Sequence, residues 1–479
     1  MAPTPAELKA LAAGLDGTLL LPADPQYPSV LKWFIGRYDD LMPAVVVRCA
    51  SVDDVVAALA FAREHELEFA VRSGAHSFAE HSSTTGLLID VGQLRSMSVD
   101  GDLVTVGPGV RLGPIVDELA TIGRTLPLGW CPYVGVAGAT LGGGFGPLAR
   151  YYGLAVDQLV AAQIVLADGR VVTVDANNEP DLFWALRGAG GGHFGVVTQL
   201  VLRTSPAVPV TSFAAWWPAD QAVELVDAWQ RFAPFAPAEL NCMLVLHTAP
   251  PDGTHLAVVF GLYVGDDGHR VRAVLDELSA QVRTAPERIL IEPMLAGDTT
   301  YQYRFNGEVT QHEELGGRPV DQDPAVRFVK SDFFERRLPR EAIEALVANW
   351  STSAPDQRRE IEFVPWGQAI GRVSADATAF VHRNALFMVE TTIQAFGEPD
   401  RKRAAFDWAS ASQAAVHPYG NGHVYQNYPD PGLTDPSHAY YGSNLGRLLE
   451  IKAKYDPDGV FTSPQPLQAA GLVSGQACW

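Results

Sequence analysis

Two nucleophilic side chains stand beside tight turns in the first third of the chain. His76 lies in RSGAHS (residues 72–77), directly after a strand-like segment, and Cys131 lies in GWCPY (residues 129–133). An isolated histidine is more often a satisfied structural residue, and an isolated cysteine is more often a small core hydrophobe. Cys131 lies inside the most glycine-rich stretch of the chain and His76 follows a Ser-Gly turn, so pairing across a glycine-rich cradle would give both residues more weight.

That stretch suits the close approach of a ligand to the main chain. Residues 129–153 contain eight of the 44 glycines, at positions 129, 135, 138, 142, 143, 144, 146 and 153. Uniform spacing would place about two there. Glycine permits positive φ angles and lets backbone N–H groups reach a ligand, so the stretch can hold a pyrophosphate without a lysine. The alternative is a set of turns in a β-rich region.

A second glycine cluster, GGGHFG at residues 190–195, has the G-x-G-x-x-G spacing of a dinucleotide site but the wrong context. The dinucleotide fingerprint follows a strand and opens a helix. Here the helix-like DLFWALRG precedes the glycines and the strand-like VVTQLVLRT follows them. The chain also has neither a P-loop nor the G-x-S-x-G nucleophile elbow. A bound nucleotide therefore requires a different fold.

The sequence around these residues predicts two regions with different patterns of strands and helices. Residues 44–204 alternate short strands and helices, including the helix VDDVVAALAFAREHE and a hairpin turn at Asp168-Gly169. After Pro206, longer alternating segments are interleaved with helices, which predicts a second α+β domain around an antiparallel sheet. Near the end, SNLGRLLEIKAKYDP predicts a helix that stops at Asp456-Pro457.

Composition excludes several classes of protein. The 479 residues are 47% hydrophobic and 19% charged, which is enough to form a core, and the net charge of −20 disfavours nucleic acid and anionic membranes as partners. Four cysteines, at positions 49, 131, 242 and 478, are too scattered for a zinc cluster or a disulfide framework. Charges interrupt the N-terminal segment and no long apolar run occurs. A cytoplasmic protein with no metal site is expected.

Four segments together carry a family resemblance. RSGAHS, GWCPYVGVAGATLGGGFGPLARYYGLAVDQLV, LFWALRGAGGGHFGVVT and YQNYPD…YYGSNLGRLLEIKAKYDPDGVF resemble the berberine bridge enzyme-like flavoprotein oxidases, over residues 40–467. Members have the vanillyl-alcohol oxidase/PCMH-type FAD-binding fold. The resemblance implies an α+β protein: a FAD-binding domain of two α/β subdomains (1–205), a substrate domain with a helix-covered antiparallel sheet (206–423) and a C-terminal segment returning to the first domain (424–479).

The resemblance also implies bicovalent FAD, bonded to His76 at the flavin 8α-methyl group and to Cys131 at C6. Ala75 stands where the family usually has glycine, and His193 stands where asparagine or serine is commoner. The remaining cofactor-binding residues expected are Arg72, Ser73, Gly74, Ala75, Ser77, Val134, Gly135, Gly138, Gly142, Gly143, Gly144, Tyr152, Gly192, His193, Gly195, Val196 and Asn427.

Tyr428 is the general base that the resemblance implies, because relatives that oxidise alcohols use the tyrosine of an Asn-Tyr motif. It would remove a hydroxyl proton while the adjacent C–H delivers hydride to flavin N5. A tyrosine with the usual pKa near 10 is a poor base at neutral pH, so it needs a cationic or hydrogen-bonding partner. Packing at a domain junction is the alternative for Tyr428. Asn427 is expected to orient the site rather than react.

The segment IEFVPWGQ (residues 361–368) is expected to provide the substrate face. Strand alternation places Glu362, Val364 and Trp366 on one side. Some relatives have an acid at the position of Val364, and Glu362 could replace it, although a solvated edge carboxylate is an equal alternative. The predicted substrate-binding residues are Tyr133, Val364, Trp366 and Gln368.

Val134, a small branched residue three positions after Cys131, favours an oxidase over a dehydrogenase by resemblance. The expected activity is oxidation of a hydroxyl group on a glycoside, polyketide or aromatic natural product, with O2 reduced to H2O2. The alternatives are a flavin-dependent oxidative cyclase, an oligosaccharide oxidase and, in a different class, a non-catalytic flavin-binding protein. The expected partners are a small-molecule substrate and O2, and nothing in the sequence indicates the oligomeric state.

Overall fold

The structure is a computed structural model that describes residues 3–30, 41–249, 253–295, 326–353, 357–395 and 399–469. Cys478 lies outside the described residues. The described strands form a four-stranded, a five-stranded and a seven-stranded sheet, together with a two-stranded ribbon. Among the helices of these ranges, none combines the length and the apolar character needed to cross a membrane.

The first sheet supports the turn that carries His76. It has the order β1-β2-β4-β3, with β2 and β3 parallel to β4 and β1 antiparallel to β2. The predicted helix of residues 52–66 is confirmed, and it begins where the Ser51 hydroxyl accepts a hydrogen bond from the Asp54 N–H. The elements are β1 (Thr18–Leu20), β2 (Val45–Arg48), β3 (Phe69–Arg72), β4 (Leu87–Asp90), α1 (Pro5–Ala13) and α2 (Val52–Glu64).

The second sheet is antiparallel throughout and has the order β5-β6-β10-β8-β9. The predicted hairpin at Asp168-Gly169 joins β8 to β9, and Gly169 adopts a φ of 86°. The elements of this region are β5 (Met97–Asp100), β6 (Leu103–Val106), α3 (Leu112–Thr121), β7 (Arg124–Thr125), α4 (Val136–Leu141), α5 (Ala149–Tyr152), β8 (Leu159–Val165), β9 (Val171–Asp175), α6 (Pro180–Ala189), β10 (Val196–Arg203) and β11 (Ser205–Pro206), the last of which pairs with β7.

The third sheet is the predicted antiparallel sheet covered by helices. Its order is β15-β12-β14-β13-β17-β18-β16, and all its pairs are antiparallel. Trp229, Leu275 and Leu346 from the helices form one core with Phe363 of the sheet. The elements are β12 (Pro209–Trp217), α7 (Ala222–Phe232), β13 (Leu240–Ala249), β14 (Thr254–Val264), α8 (Gly268–Val282), β15 (Arg288–Leu295), β16 (Val326–Phe334), α9 (Arg340–Trp350), β17 (Gln357–Pro365), β18 (Phe387–Ala395) and α10 (Pro399–Val416).

The opposite face of the third sheet packs against the first half of the chain. Val364 and Met388 from this face share a core cluster with Phe145 and Leu148 of the glycine-rich region. Because side chains alternate along a strand, Phe363 points to the helices while its neighbour Val364 points to the other half. The interface between the halves is therefore where side chains from both can meet.

The chain finally returns to the first half. Two helices, α11 (Pro436–Tyr441) and α12 (Leu445–Tyr455), complete the described elements. Leu445 and Leu448 of α12 pack with Phe183 and Trp184 of α6. As predicted, α12 ends immediately before Asp456. Residues 420–430, which precede these helices, run along the edge strand β16, where the Phe333 N–H donates to the His423 carbonyl oxygen at 3.1 Å.

Candidate active site

A cavity of about 720 Å³ lies between the two halves. Its lining includes the turn after β3, the glycine-rich stretch around α4, the loop after α6, strands β17 and β18, and residues 425–429 and 461–465. The volume is within the range typical of ligand and cofactor pockets. The cavity thus collects segments that are more than 300 residues apart in the sequence.

The turn after β3 and the glycine-rich stretch are fixed to each other by a pair of glycines. A Cβ atom on Gly74 would lie 2.3 Å from the Gly135 nitrogen, so only glycine allows this approach. The Ser73 hydroxyl donates to the Pro108 carbonyl oxygen at 2.6 Å and steadies the same turn. As a result, His76 and Cys131, one on each segment, line the same cavity.

Ala75 departs from ordinary backbone geometry in this turn. Its φ of 55° lies in the left-handed region, which disfavours residues with a Cβ atom. The family's glycine at this position would adopt the conformation without strain. The turn nevertheless keeps His76 at the cavity, so the departure at Ala75 leaves the predicted anchor in place.

The glycines divide into those that face the cavity and those that allow close packing. A Cβ on Gly138 or Gly192 would meet no atom within 4 Å, and both residues line the cavity. A Cβ on Gly142 would lie 2.0 Å from Asn427 Oδ1, so Gly142 admits the returning segment. Gly143, a predicted cofactor-binding residue, does not line the cavity. The Phe380 ring packs against it, and a Cβ atom on Gly143 would lie 2.6 Å from Phe380 Cε2.

These features fit the FAD that the sequence predicts. Open main-chain surface at Gly138 and Gly192 can receive a dianionic pyrophosphate without steric obstruction and without a lysine. The imidazole of His76 and the half-buried thiol of Cys131 reach the same space, and both groups are nucleophiles. The donor set therefore suits a flavin held both by backbone groups and by two side chains.

Acidic side chains of the third sheet form one wall of the cavity, here called the acidic wall. Glu360 and Glu362 on β17 and Glu390 on β18 all line the cavity, and Glu362 stands directly opposite Glu390 in the strand register. Since β17 lies between β13 and β18, Glu362 is not the solvated edge carboxylate that was considered as an alternative. Glu362 and Val364 share a face, as predicted from alternation.

Burial and mutual repulsion keep this pair of carboxyls protonated at higher pH than usual. Burial raises the pKa of Glu362 well above 4.5, and the nearby Glu390 and Glu360 carboxyls raise it further. Burial also raises the pKa of Glu390 to about 7, although hydrogen bonds from Thr392 and Tyr428 act in the opposite direction. The pair therefore releases its first proton near neutral pH and holds the second more tightly.

Tyr428 completes this acidic wall. Its hydroxyl hydrogen-bonds to the Glu390 carboxyl, and its ring makes edge contacts with Phe78, Phe145 and Tyr425 at 5.6, 6.1 and 5.0 Å between centroids. Burial, followed by the nearby Glu390 and Glu362 carboxyls, raises the pKa of Tyr428 well above 10. Of the two kinds of partner expected for Tyr428, cationic or hydrogen-bonding, the structure provides a hydrogen-bonding one, the Glu390 carboxyl.

Asn427 hydrogen-bonds both to the glycine-rich stretch and to its own segment. Its amide nitrogen donates to the Ala139 carbonyl oxygen and to the Tyr425 hydroxyl, both at 2.9 Å. The Tyr425 hydroxyl also accepts from the Gly144 N–H at 2.9 Å. Asn427 thereby ties the returning segment to α4 and the glycine-rich stretch.

His193 lines the cavity near a second histidine. Its Nε2 lies 3.2 Å from the Tyr441 hydroxyl, and burial lowers its pKa to about 3. His81, which sequence reasoning missed, also lines the cavity, where burial lowers its pKa to about 4 while a hydrogen bond to Gln465 acts in the opposite direction. Both imidazoles are neutral at pH 7 and present hydrogen-bonding groups without charge.

Several predicted site residues lie elsewhere. Trp366 is fully buried and its Nε1 donates to the His382 carbonyl oxygen at 2.6 Å, while the Gln368 amide donates to the Ala236 carbonyl oxygen at 2.8 Å. Val364 is buried beside them. Alternation placed Val364 and Trp366 on the correct face, but they lie behind Phe145, whose ring is 5.7 Å from that of Trp366. None of these three lines the cavity.

Four further predicted residues make contacts outside the cavity. Arg72 donates to the Ser82 carbonyl oxygen at 3.0 Å and to Val30, and so holds the loop after the His76 turn. The Tyr152 hydroxyl donates to the Pro206 carbonyl oxygen at 2.9 Å. Tyr133 lies under the Arg111 guanidinium, at 5.8 Å, and Val196 is buried in the first-sheet core. None of the four lines the cavity.

The other predicted residues line the cavity, and the structure adds new ones. Those predicted are Ser73, Gly74, Ala75, His76, Ser77, Cys131, Val134, Gly135, Gly138, Gly142, Gly144, Gly192, His193, Gly195, Glu362, Asn427 and Tyr428. Those missed include Phe78, Trp130, Arg327, Glu360, Glu390 and Thr392. The alternating strand FMVETTIQA would have marked Glu390 as facing one side, but only the pairing of β17 with β18 brings it to Glu362.

Comparisons with known proteins found family models and relatives that match this chain. A family described as "FAD binding domain" matches residues 43–175, and one described as "Berberine and berberine like" matches residues 424–468. An uncharacterized FAD-linked oxidoreductase of Bacillus subtilis is 33% identical over 95% of this chain and 98% of its own length. A xylooligosaccharide oxidase of Thermothelomyces thermophilus is 31% identical over 89% of this chain and 88% of its own length.

Solved structures share the architecture. A glucooligosaccharide oxidase from Acremonium strictum, described as carrying a 6-S-cysteinyl, 8α-N1-histidyl FAD, aligns with a TM-score of 0.83 and 25% identity. The alignment covers 96% of this chain and 99% of that one. The α+β fold is thus shared along nearly the whole chain.

Proposed function

Because this chain belongs to the berberine bridge enzyme-like FAD-linked oxidases, we propose that it oxidises the CH–OH group of a small hydroxyl-bearing molecule, with O2 reduced to H2O2. The observation that carries the proposal is the contact between Tyr428 and Glu390 in the cavity that His76 and Cys131 also line. A hydroxyl proton thus has an acceptor beside the predicted cofactor position.

His76 and Cys131 hold the FAD through 8α-N-histidyl and 6-S-cysteinyl bonds. Two features support this assignment: the Gly74 and Gly135 contact fixes the two segments to each other, and the Acremonium strictum oxidase is described as carrying the same two types of bond. When bound, FAD supplies a two-electron acceptor at N5 for the hydride of the substrate carbon.

Tyr428 and Glu390 move the proton together. Because the pKa of Tyr428 is well above 10, a free tyrosinate is not formed at neutral pH. Tyr428 instead accepts the substrate proton as it passes its own proton to Glu390, whose pKa of about 7 makes it an acceptor near physiological pH. Glu362, which stands opposite Glu390 on the neighbouring strand, stays protonated because its pKa is raised, so Glu390 is the carboxyl of the pair that ionises.

Val134 lines the cavity next to this site and supports the assignment of O2 as the final electron acceptor. A sugar is the first substrate class to test, because the Thermothelomyces thermophilus and Acremonium strictum relatives are named oligosaccharide oxidases. A peroxide-coupled screen of oligosaccharides, phenols and secondary alcohols identifies the substrate. Air-dependent peroxide formation is expected, and a protein that binds flavin without oxidising any of them would contradict the proposal.

Three variants test the assigned roles. Acid-precipitated protein should stay yellow, and His76→Ala and Cys131→Ala should each retain flavin through one remaining bond, as measured by absorbance and by mass spectrometry. Tyr428→Phe should keep both bonds and lose at least ~100-fold in the anaerobic rate of flavin reduction. Flavin that washes out of the wild-type protein refutes covalent attachment, and undiminished reduction by Tyr428→Phe refutes its role as base.

A further inference from the structure

A buried ion pair joins the third sheet to the segment that carries Tyr428. Lys330 Nζ on β16 lies 2.7 Å from Asp430 Oδ2, and the two side chains are 6% and 5% exposed. Asp430 follows Tyr428 by two residues, with Pro429 between them. Since a buried charge is stable only with its partner, this pair fixes where the segment meets the strand.

Asp430 uses nearly all its polar atoms in the same region. Its Oδ1 accepts from the Gly432 N–H at 2.8 Å, and its main-chain oxygen accepts from the Gln465 amide at 2.8 Å. Its own N–H donates to the Tyr440 hydroxyl at 3.1 Å. Asp430 is therefore held on one side by the C-terminal segment, and Lys330 connects it to the sheet.

The residue after Lys330 fixes the other end of the segment. The Ser331 hydroxyl accepts from the Tyr425 N–H at 3.0 Å. Between the two attachments, the Tyr428 N–H donates to the Tyr425 carbonyl oxygen at 2.9 Å and closes a turn. Consecutive residues of β16 thus hold both ends of residues 425–430.

The same strand sets the position of the proton acceptor. In the register of β16 with β18, Ser331 stands opposite Glu390, and Lys330 stands opposite Thr391. The segment that carries Tyr428 and the strand that carries Glu390 are therefore both bonded to β16. A displacement of the segment on β16 would separate the Tyr428 hydroxyl from the Glu390 carboxylate.

We propose that Lys330 is a positioning residue for proton transfer: its ion pair with Asp430 holds the Tyr428 hydroxyl against the Glu390 carboxylate. The inference rests on the proposed function, in which these two groups accept the substrate proton. A misplacement of about 1 Å can lower a rate about 100-fold, so the pair influences turnover without touching substrate.

Lys330→Met tests the proposal through the pH profile of flavin reduction. The turnover number should fall about ten- to 100-fold with little change in KM. The midpoint of the profile should also move above 7, because the hydrogen bond from Tyr428 lowers the pKa of Glu390 and would be lost. The other titratable groups that interact with Glu390 are Glu360, Glu362 and Tyr425; these and the cavity-lining Arg327 remain unchanged. Lys330→Arg should restore both the rate and the midpoint.

His417→Gln is the matched control. His417 pairs with Asp332, two residues from Lys330 on the same strand, at 2.6 Å, and Asp332 is 2% exposed. This variant should lower the melting temperature and leave the midpoint where the wild type has it. If Lys330→Met also lowers the melting temperature and leaves the midpoint of the pH profile unchanged, the ion pair is only structural and the proposal is overturned.

Two further measurements keep the outcome decisive. If Lys330→Met does not fold, Asp430→Asn removes the charge while retaining an acceptor for Gly432, and the same loss of rate and upward shift are required of it. Tyr428→Phe is measured in parallel. A fully active Tyr428→Phe protein refutes the proposed function itself, whereas an inactive one alongside a Lys330→Met protein that behaves like wild type refutes only the role of Lys330.

Discussion

Replacing Glu390 by glutamine removes the proposed proton acceptor while keeping the shape of the side chain. Because the proposed proton transfer requires ionised Glu390, whose pKa is about 7, the wild-type rate of flavin reduction should rise with pH through neutrality. About 90% of the carboxyl is ionised at pH 8 and about 1% at pH 5. The wild-type rate should therefore fall ~90-fold between these values, for a substrate that does not itself titrate.

Glu390→Gln should lose about 10²- to 10⁴-fold in the rate at pH 8 and should lack the wild-type rise through neutrality, because the carboxylate proposed to accept the proton is absent. Anaerobic stopped-flow measurement of flavin bleaching gives both numbers. Thr392→Val is a sharp control: the Thr392 hydroxyl donates to Glu390 at 2.7 Å and lowers its pKa, so this variant should shift the midpoint upward while keeping the high-pH rate. A Glu390→Gln enzyme with the wild-type midpoint would refute the reasoning.

Three further substitutions have expected outcomes. Glu362→Gln should have a higher free energy of unfolding than wild type at pH 8 and the same one at pH 4. A carboxyl whose pKa is raised in the folded state contributes its full stability below the pKa of the unfolded state and loses it as the pH rises. A difference in melting temperature between the two proteins that does not change with pH would contradict this. Gly142→Ala should reduce flavin incorporation and activity, because its Cβ would lie 2.0 Å from Asn427 Oδ1; normal absorbance of the purified protein would show that the segment moves freely. Ala75→Gly should keep flavin attachment at His76 and change the unfolding free energy by no more than about 1 kcal/mol. Glycine relieves the backbone strain at a φ of 55° but adds conformational entropy to the unfolded chain, and the two effects oppose each other. Loss of the histidyl bond would mean that the strained turn is needed for attachment.

Motifs that lie close together in the sequence could be interpreted from it directly. His76, Cys131 and Tyr428 each belong to a short segment with a distinctive pattern, and all three line the cavity. The helix at 52–64, the hairpin at Asp168-Gly169 and the helix-covered antiparallel sheet also follow from local patterns of apolar residues, caps and turns. Local chemistry decides these features, because each depends on neighbours within about ten residues.

The acidic wall and its contact with Tyr428 depended on the tertiary structure. Alternation assigned Glu362 and Trp366 to one face, but only the packing of Phe145 against Trp366 decided which end of that face opens to the cavity. Glu390 meets Glu362 through the register of β17 with β18, and it meets Tyr428 because the returning segment is tied to β16. The sequence by itself predicted the fold, the two proposed flavin anchors and the proposed base Tyr428. The tertiary structure brought Glu390, the proposed proton acceptor, to Tyr428, because strand register and the docking of a distant segment are set by packing across the whole molecule.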